Sequence, residues 1–472
     1  MMSWLNLVSF AGIFILCGIA WIGSENRRVI PWKVILWGIA LQLILGLLVF
    51  SFPVTRAVVT VISNSVNAIL DATEAGARFL FGSLLVPDVS TPGPILAGRW
   101  IARAITPAYV PVAGDRLSPD NLNLGYVFAF RALPSVIFFS ALMSLLYHLR
   151  VIQPIVNFFA KIFHRLLNLS GAEALSGATN IFVGIESALV IRPYLANMTR
   201  SELCAILTCC YGSIASTVLA LYAGLLRPTF PNITGHLVSA SFMAIPACFV
   251  VSKLLVPETE TPKTIAALPK EEEPEESTSS AMESVIAGAL DGVKLAIAIA
   301  ALLVAVLGLV AIVNLFFANL GGLAESNNLT IRRIGIIFQI VTLQNIVGAL
   351  FVPLTAITGV SANWNEIWET SVLIGRRLLE TEVPAYQQLG VLASQGRISD
   401  RALVITSYCL CGFAHLPSVG IFVGGFSSLI PSRRKELASV GWKALWAATL
   451  ATLMIGCVAG VFYLGNPSVL RG

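Results

Sequence analysis

Charge is scarce in this sequence. Of its 472 residues only 12% are Asp, Glu, Lys or Arg, against about 25% in ordinary soluble domains. Hydrophobic residues make up 56%, and mean hydropathy is +0.83. That balance excludes a soluble globular fold and points to an all-α polytopic membrane protein. The short alternating segments of a transmembrane barrel are also missing, since the apolar runs here are long and continuous. Eight cysteines, most of them inside those runs, make no disulfide framework. The CxC of Cys409 and Cys411 has no CxxC or Cys/His ligand set beside it and reads as core. A formal charge of +5 is too modest for a nucleic-acid partner and suits basic cytoplasmic loops. The first apolar run, Trp4–Ile22, lacks the basic start and small-residue cleavage site of a secretory signal, so it reads as a retained span.

What the chain does have is about eight candidate spans: 4–22, 33–52, 126–149, 203–226, 236–255, 285–317, 402–430 and 442–464. Between them, 53–85 has the periodicity of an interfacial helix, with Glu74 and Arg78 spaced as an i,i+4 pair. Residues 87–124 read as an outer loop, 151–169 as a basic amphipathic helix on the inner surface, and 257–284 as a solvated inner linker. The run 334–352 carries Gln344 and Asn345 and reads as interfacial or tilted. Arg376 and Arg377 read as a solvated or interfacial anchor, and the basic PSRRKEL as an inner loop.

Two apolar runs break this pattern. Residues 170–195, SGAEALSGATNIFVGIESALVIRPYL, place Gly177, Asn180, Gly184, Glu186 and Ser187 where a span would cross the bilayer centre. A carboxylate facing lipid there costs ~2.5 kcal/mol or more, so Glu186 should face protein or a water-filled cavity. Broken backbone at that depth is tolerated only under the same condition. The run therefore reads as a re-entrant hairpin of two half-helices, and 371–394, broken at Thr381, Glu382 and Pro384, repeats it. Each hairpin is followed by an interrupted span, with YGSIAST at 211–217 and GFAHLPS at 412–418. Two such units are how inverted-repeat transporters build a site at the midplane. Two acids, an Asn, a His and hydroxyls there suit an uncharged, polyhydroxylated solute. An intramembrane enzyme using Glu186, Glu382 and His415 as acid and base groups is the alternative; no nucleophile with an adjacent base supports it.

The order of FAFRALPSVIFFSALMSLLYHL, SGAEAL, the NxFxG lead-in, RPYLANMTRSEL, ExxAY after the second hairpin tip and CGFAxxxSxGI resembles the concentrative nucleoside transporter family over most of the chain. The resemblance implies a homotrimer in the membrane lipid, each chain having a scaffold and a transport domain that moves like an elevator. It implies scaffold helices over 1–150, a first transport repeat over 151–256, the linker 257–284, a scaffold span and interfacial segment over 285–355, and a second transport repeat over 356–472. It implies sodium as the coupling ion, held by Asn180, Val183, Ser213 and Ile214, with no organic cofactor. It places Ile185, Glu186, Val218, Glu382, Phe413, His415 and Ser418 around a nucleoside or similar small polar solute taken up across a bacterial inner membrane. The chain departs from the family at this site. Gly184-Ile185-Glu186 is one residue shorter than the family's GQTE or GQSE, Thr381 and His415 replace Asn, and Pro417 replaces Ser. A proton-coupled transporter of a non-nucleoside solute is the matching alternative.

Overall fold

Inside a bilayer each backbone amide and carbonyl must find its partner within the protein, which leaves helices for a chain of this composition. The computed structural model describes residues 3–51, 53–82, 85–86, 95–96, 122–123, 127–182, 184, 187–264 and 280–465. The hairpin-tip residues Val183, Ile185 and Glu186 lie outside these, as do most of the expected outer loop and linker residues 265–279. Among the described residues the fold is helical except for one parallel pairing of two-residue strands, β1 (Ile95–Leu96) with β2 (Leu122–Asn123).

The helices follow in order as α1 (Trp4–Ile22), α2 (Trp32–Ser51), α3 (Pro53–Phe81), α4 (Phe128–His148) and α5 (Gln153–Leu167). The first hairpin is α6 (Gly171–Thr179) with the short α7 (Ser187–Val190) and α8 (Arg192–Leu195), and the interrupted span after it is α9 (Arg200–Gly212) and α10 (Ser216–Leu226). Next come α11 (Ile233–Leu255), α12 (Ala281–Gly321), α13 (Leu329–Phe338) and α14 (Leu343–Ala356). The second hairpin is α15 (Trp364–Leu379) and α16 (Glu382–Ser394), followed by α17 (Asp400–Cys409) and α18 (Leu416–Leu429), and then α19 (Arg434–Phe462). Six helices among the described residues are long and apolar enough to cross a membrane.

Several expectations shift. The run 334–352 is the meeting of α13 and α14, bent by 70°, so its polar residues open a helix instead of sitting inside one. PSRRKEL is a 3-10 turn, Pro431–Arg433, running into the start of α19. Glu74 pairs with Arg131 of α4 and not with Arg78, whose Nε donates to the Val86 carbonyl at 3.0 Å. The second hairpin starts earlier than expected, at Trp364, and Pro384 falls in the first turn of α16, where no intrahelical N–H bond is lost.

The core is α11 and α19, wholly buried along most of their length, with α1 and α2 laid against them. Asn6 ties α1 to the end of α19 by donating to the carbonyls of Val461 and Tyr463, both at 2.8 Å. At the opposite end of α1, Glu25 accepts from Arg200 and Lys443, and the Arg200 guanidinium foremost holds its carboxyl below the usual carboxylate range. Outside this core α12 packs on α4. Gly288 and Gly292 form a small-xxx-small stripe that lets Ile137, Ser140 and Ser144 approach the α12 backbone, and the Ser144 and Ser284 hydroxyls bond at 2.9 Å. Elsewhere along α12 many large apolar side chains are exposed, Ile297, Val304, Leu309 and Ile312 among them.

The two repeats cross at their breaks. Gly412 has φ +123°, a conformation that favours glycine, and a Cβ there would lie 2.8 Å from the Gly212 carbonyl oxygen. The interruption of α9–α10 and that of α17–α18 therefore touch backbone to backbone in the middle of the molecule.

Candidate functional site

The first hairpin is capped at its base and open at its tip. Ser170 and Glu173 form a capping box at the start of α6, and Thr264 closes the same end, its carbonyl accepting from Gly171 N–H at 2.8 Å. At the other end Asn180 is fully buried, and its Nδ2 donates to the Ser176 carbonyl (3.1 Å) and Ser187 Oγ (2.8 Å). Its Oδ1 has no hydrogen-bond partner. A buried amide oxygen without a donor is costly unless something positive or a donor meets it.

The break between α9 and α10 is tied to the residues that follow Asn180. Ser213 Oγ donates to the Cys209 carbonyl at 2.8 Å, which leaves its lone pairs unused. Ser241 Oγ of α11 bridges the carbonyls of Ile181 (3.1 Å) and Ile214 (3.5 Å), and the Phe182 carbonyl accepts from Ser216 N–H at 2.9 Å. Hairpin end and helix break are thus tied into one set of neutral oxygens: an amide, a hydroxyl and main-chain carbonyls. These are hard ligands that fit a small monovalent cation. Of the four expected cation ligands, Asn180 stands at the end of α6, and Ser213 and Ile214 stand in the break that Ser241 and Ser216 tie to the neighbouring Ile181 and Phe182; Val183 lies outside the described residues.

The second hairpin presents charge. Glu382 is the first residue of α16 and is buried. Tyr222 of α10 donates to Glu382 Oε1, and His415 Nε2 lies 3.0 Å from Oε2. The His415 ring is oriented by its role as N-cap of α18: Nδ1 accepts from Ser418 N–H at 3.2 Å. That contact leaves Nε2 as the ring nitrogen beside the carboxylate. Tyr222 is held in turn by stacking on Tyr386, with centroids 4.8 Å apart, and Tyr386 donates to the Ser407 carbonyl at 2.8 Å. Beside Glu382, the Thr381 hydroxyl is buried without a partner.

These groups open into a cavity of about 320 Å³, at the lower end of the ~300–1,000 Å³ of small-molecule sites. Gly184, Ala215 and Val218 line it from the first repeat, and Thr381, Glu382, Val383, Phe413, His415, Ser418, Ile421 and Phe422 from the second. Its remaining wall is α12, through Leu295, Ala298, Ile299, Leu302 and Leu303. Five expected substrate residues, Val218, Glu382, Phe413, His415 and Ser418, thus share one cavity; Ile185 and Glu186 lie outside the described residues. Sequence reasoning missed Tyr222 and the α12 wall. Tyr222 follows Val218 by one helical turn on the same face, a signal the sequence did carry.

Arg376 and Arg377 are not the solvated anchor that their sequence suggests. Arg376 pairs with the buried Glu380 at 2.5 Å, and Gln344 of α14 donates to the other Glu380 oxygen at 2.7 Å. Arg377 is wholly buried.

Comparison with known proteins bears on all of this. Family models match residues 11–84 and 236–460 as the N- and C-terminal parts of the Na+-dependent nucleoside transporters, and 129–229 as a nucleoside-recognition gate. An uncharacterized transporter of Haemophilus influenzae is 32% identical over 97% of both chains, and the uncharacterized transporter YutK of Bacillus subtilis is 33% identical over 96% of this chain and 98% of its own. Mouse sodium/nucleoside cotransporter 1 is 32% identical over 97% of this chain and 64% of its own. Among solved structures, CNTnw in an inward-facing substrate-bound state superposes with a TM-score of 0.80 at 33% identity, covering 97% of this chain and 98% of that one. These relatives are multi-pass membrane transporters, which sets aside the enzyme alternative.

Proposed function

The chain belongs to the Na+-dependent nucleoside transporter family, and on that premise we propose that it couples sodium entry to uptake of a nucleoside or related small polar solute. The observation that carries this reading is the buried Glu382, set by Tyr222 and His415 in a cavity that both repeats line. The carboxylate keeps lone pairs beyond those two contacts, and with the Thr381 hydroxyl it offers directional partners to vicinal hydroxyls of a sugar. Phe413 and Val218 supply flat apolar contact for a ring, and Ser418 fixes the His415 end.

Sodium binds at Asn180, Val183, Ser213 and Ile214 on this reading, and its role is positional. By joining the hairpin end to the α9–α10 break it holds Gly184, Ile185 and Glu186 where they complete the solute cavity, so the solute binds well only after the ion. Residues 151–256 and 356–472 form the moving body, and α4 with α12 form the wall it slides along, in an elevator-type homotrimer of the bacterial inner membrane. A non-nucleoside cargo is a second reading, favoured by the apolar character of most of the cavity wall and by Ile185 at the first tip.

Uptake into proteoliposomes of nucleosides, free nucleobases and small polyols, with sodium, with choline, or with a pH gradient alone, tests both parts. Saturable nucleoside uptake that stops in choline is the expected result. Uptake driven by the pH gradient without sodium would overturn the choice of ion, and uptake of polyols alone the choice of cargo.

A further inference from the structure

The second halves of the two repeats meet along one seam. Glu382, Tyr386 and Gly390 recur at four-residue spacing on α16 and form a stripe that faces α10. Tyr222 of α10 donates to Glu382 Oε1 and stacks on Tyr386 with the ring planes 18° apart. Further along, a Cβ on Gly390 would lie 3.4 Å from the Leu225 carbonyl oxygen. Both tyrosine rings are wholly buried, and Tyr386 is fixed from behind by the Ser407 carbonyl of α17. Stacking and burial together hold the Tyr222 hydroxyl toward the carboxylate.

The same helix starts at the candidate ion site. Ser216, the first residue of α10, donates its N–H to the Phe182 carbonyl of the first hairpin at 2.9 Å, and the break just before it carries Ser213 and Ile214. Tyr222 lies fewer than two turns along from there, and between the two Val218 lines the solute cavity. A short helix is stiff, so where its first turn is held decides where the Tyr222 hydroxyl stands.

We propose that Tyr222 is a positioning residue that carries occupancy of the ion site to the solute site by fixing the carboxylate of Glu382. The inference rests on the reading above, in which sodium binds at the first hairpin and a nucleoside beside Glu382. With the ion in place, hairpin end and break are held together and α10 is held at its start. The Tyr222 hydroxyl then occupies Oε1, and the remaining lone pairs of the carboxylate point at the solute. Without the ion the start of α10 is released, and the hydroxyl adds nothing to solute affinity. The outcome is a coupling free energy between the two sites, which is reciprocal.

Equilibrium binding of radiolabelled uridine to the purified full-length protein, at limiting and at saturating sodium, tests it. Binding of ²²Na⁺ without uridine and thermal unfolding in detergent accompany each variant. Sodium should tighten uridine binding to the wild type. Tyr222→Phe keeps the ring and its stack and loses only the hydroxyl. It should weaken uridine about tenfold at saturating sodium, the loss of one hydrogen bond to a charged group, and leave uridine binding at limiting sodium, and sodium binding without uridine, as in the wild type. Equal weakening at both sodium concentrations would overturn the inference, since Tyr222 would then serve the solute site alone. Unchanged uridine binding at both, or weakened sodium binding without uridine, would overturn it too, and all three results leave the sodium reading standing. Should Tyr222→Phe fail to fold, Tyr386→Leu removes the ring that Tyr222 stacks on and keeps its hydroxyl. The effect of sodium on uridine binding should shrink there, and an effect as large as in the wild type would overturn the inference. Wild-type uridine binding that is absent or indifferent to sodium would overturn the reading above, and the inference with it.

Discussion

Glu186 aside, which lies outside the described residues, the polar groups at the tip end of the first hairpin and at its break are neutral, Asn180, Ser187, Ser213, Ser241 and main-chain carbonyls, while its buried charge stands at the base, where Glu173 pairs with Lys253 at 2.5 Å. Around the second hairpin stand Arg376, Arg377, Glu380, Glu382 and His415, all but Arg376 fully or nearly fully buried. The backbone plan is the same in both, a hairpin followed by a span interrupted where the other span is interrupted. The difference lies in which repeat brings its own charges to the hairpin tip. Buried ions cost several kcal/mol each unless paired or hydrogen-bonded, and the second repeat meets that cost with fixed partners. The first leaves an amide oxygen unpaired, which suits a charge that comes and goes.

The largest effect should come from removing the charge of the second hairpin at its contact with the cavity. Glu382→Gln keeps the size of the side chain but loses the carboxylate, and transport efficiency should fall by about 10²-fold or more, as for truncating one partner of a buried charged contact. Radiolabelled uptake together with a thermal unfolding curve separates this from misfolding. Unchanged uptake would remove the second hairpin from the solute site.

A smaller effect tests the crossing itself. Gly412→Ala puts a Cβ 2.8 Å from the Gly212 carbonyl oxygen at a positive φ, whereas Gly212→Ala meets the Cys248 Sγ, a side-chain atom that can move. Gly412→Ala should therefore destabilise by about 1–3 kcal/mol and Gly212→Ala by less, read as the difference in unfolding midpoint in detergent. The reverse order would mean that the two breaks do not meet as described.

Much of this comparison is legible in the sequence, and the parts that are not have identifiable causes. Glycines, an Asn and acids inside apolar runs announce both hairpins and both breaks, because the bilayer penalises them anywhere else. Glu382, His415 and Ser418 are legible for the same reason. The fate of Arg376 and Arg377 is not. Adjacent residues on a helix point about 100° apart, so Arg376 finds Glu380 one turn on while Arg377 turns inward, and a pair of arginines in sequence gives no sign of which does which. The α12 wall is silent because the stretch that forms it, 295–303, is apolar on every side. Its lipid-facing and cavity-facing residues are the same types.

The first repeat holds the ion, and the second supplies the charged contact to the solute in a cavity that both repeats line. Uptake kinetics of Asn180→Ala across sodium concentrations test this division most directly. Half-saturating sodium should rise about tenfold, the loss of roughly one charge-assisted ligand, while the solute KM at saturating sodium stays that of the wild type. A sodium curve identical to wild type, with the solute KM raised instead, would contradict it.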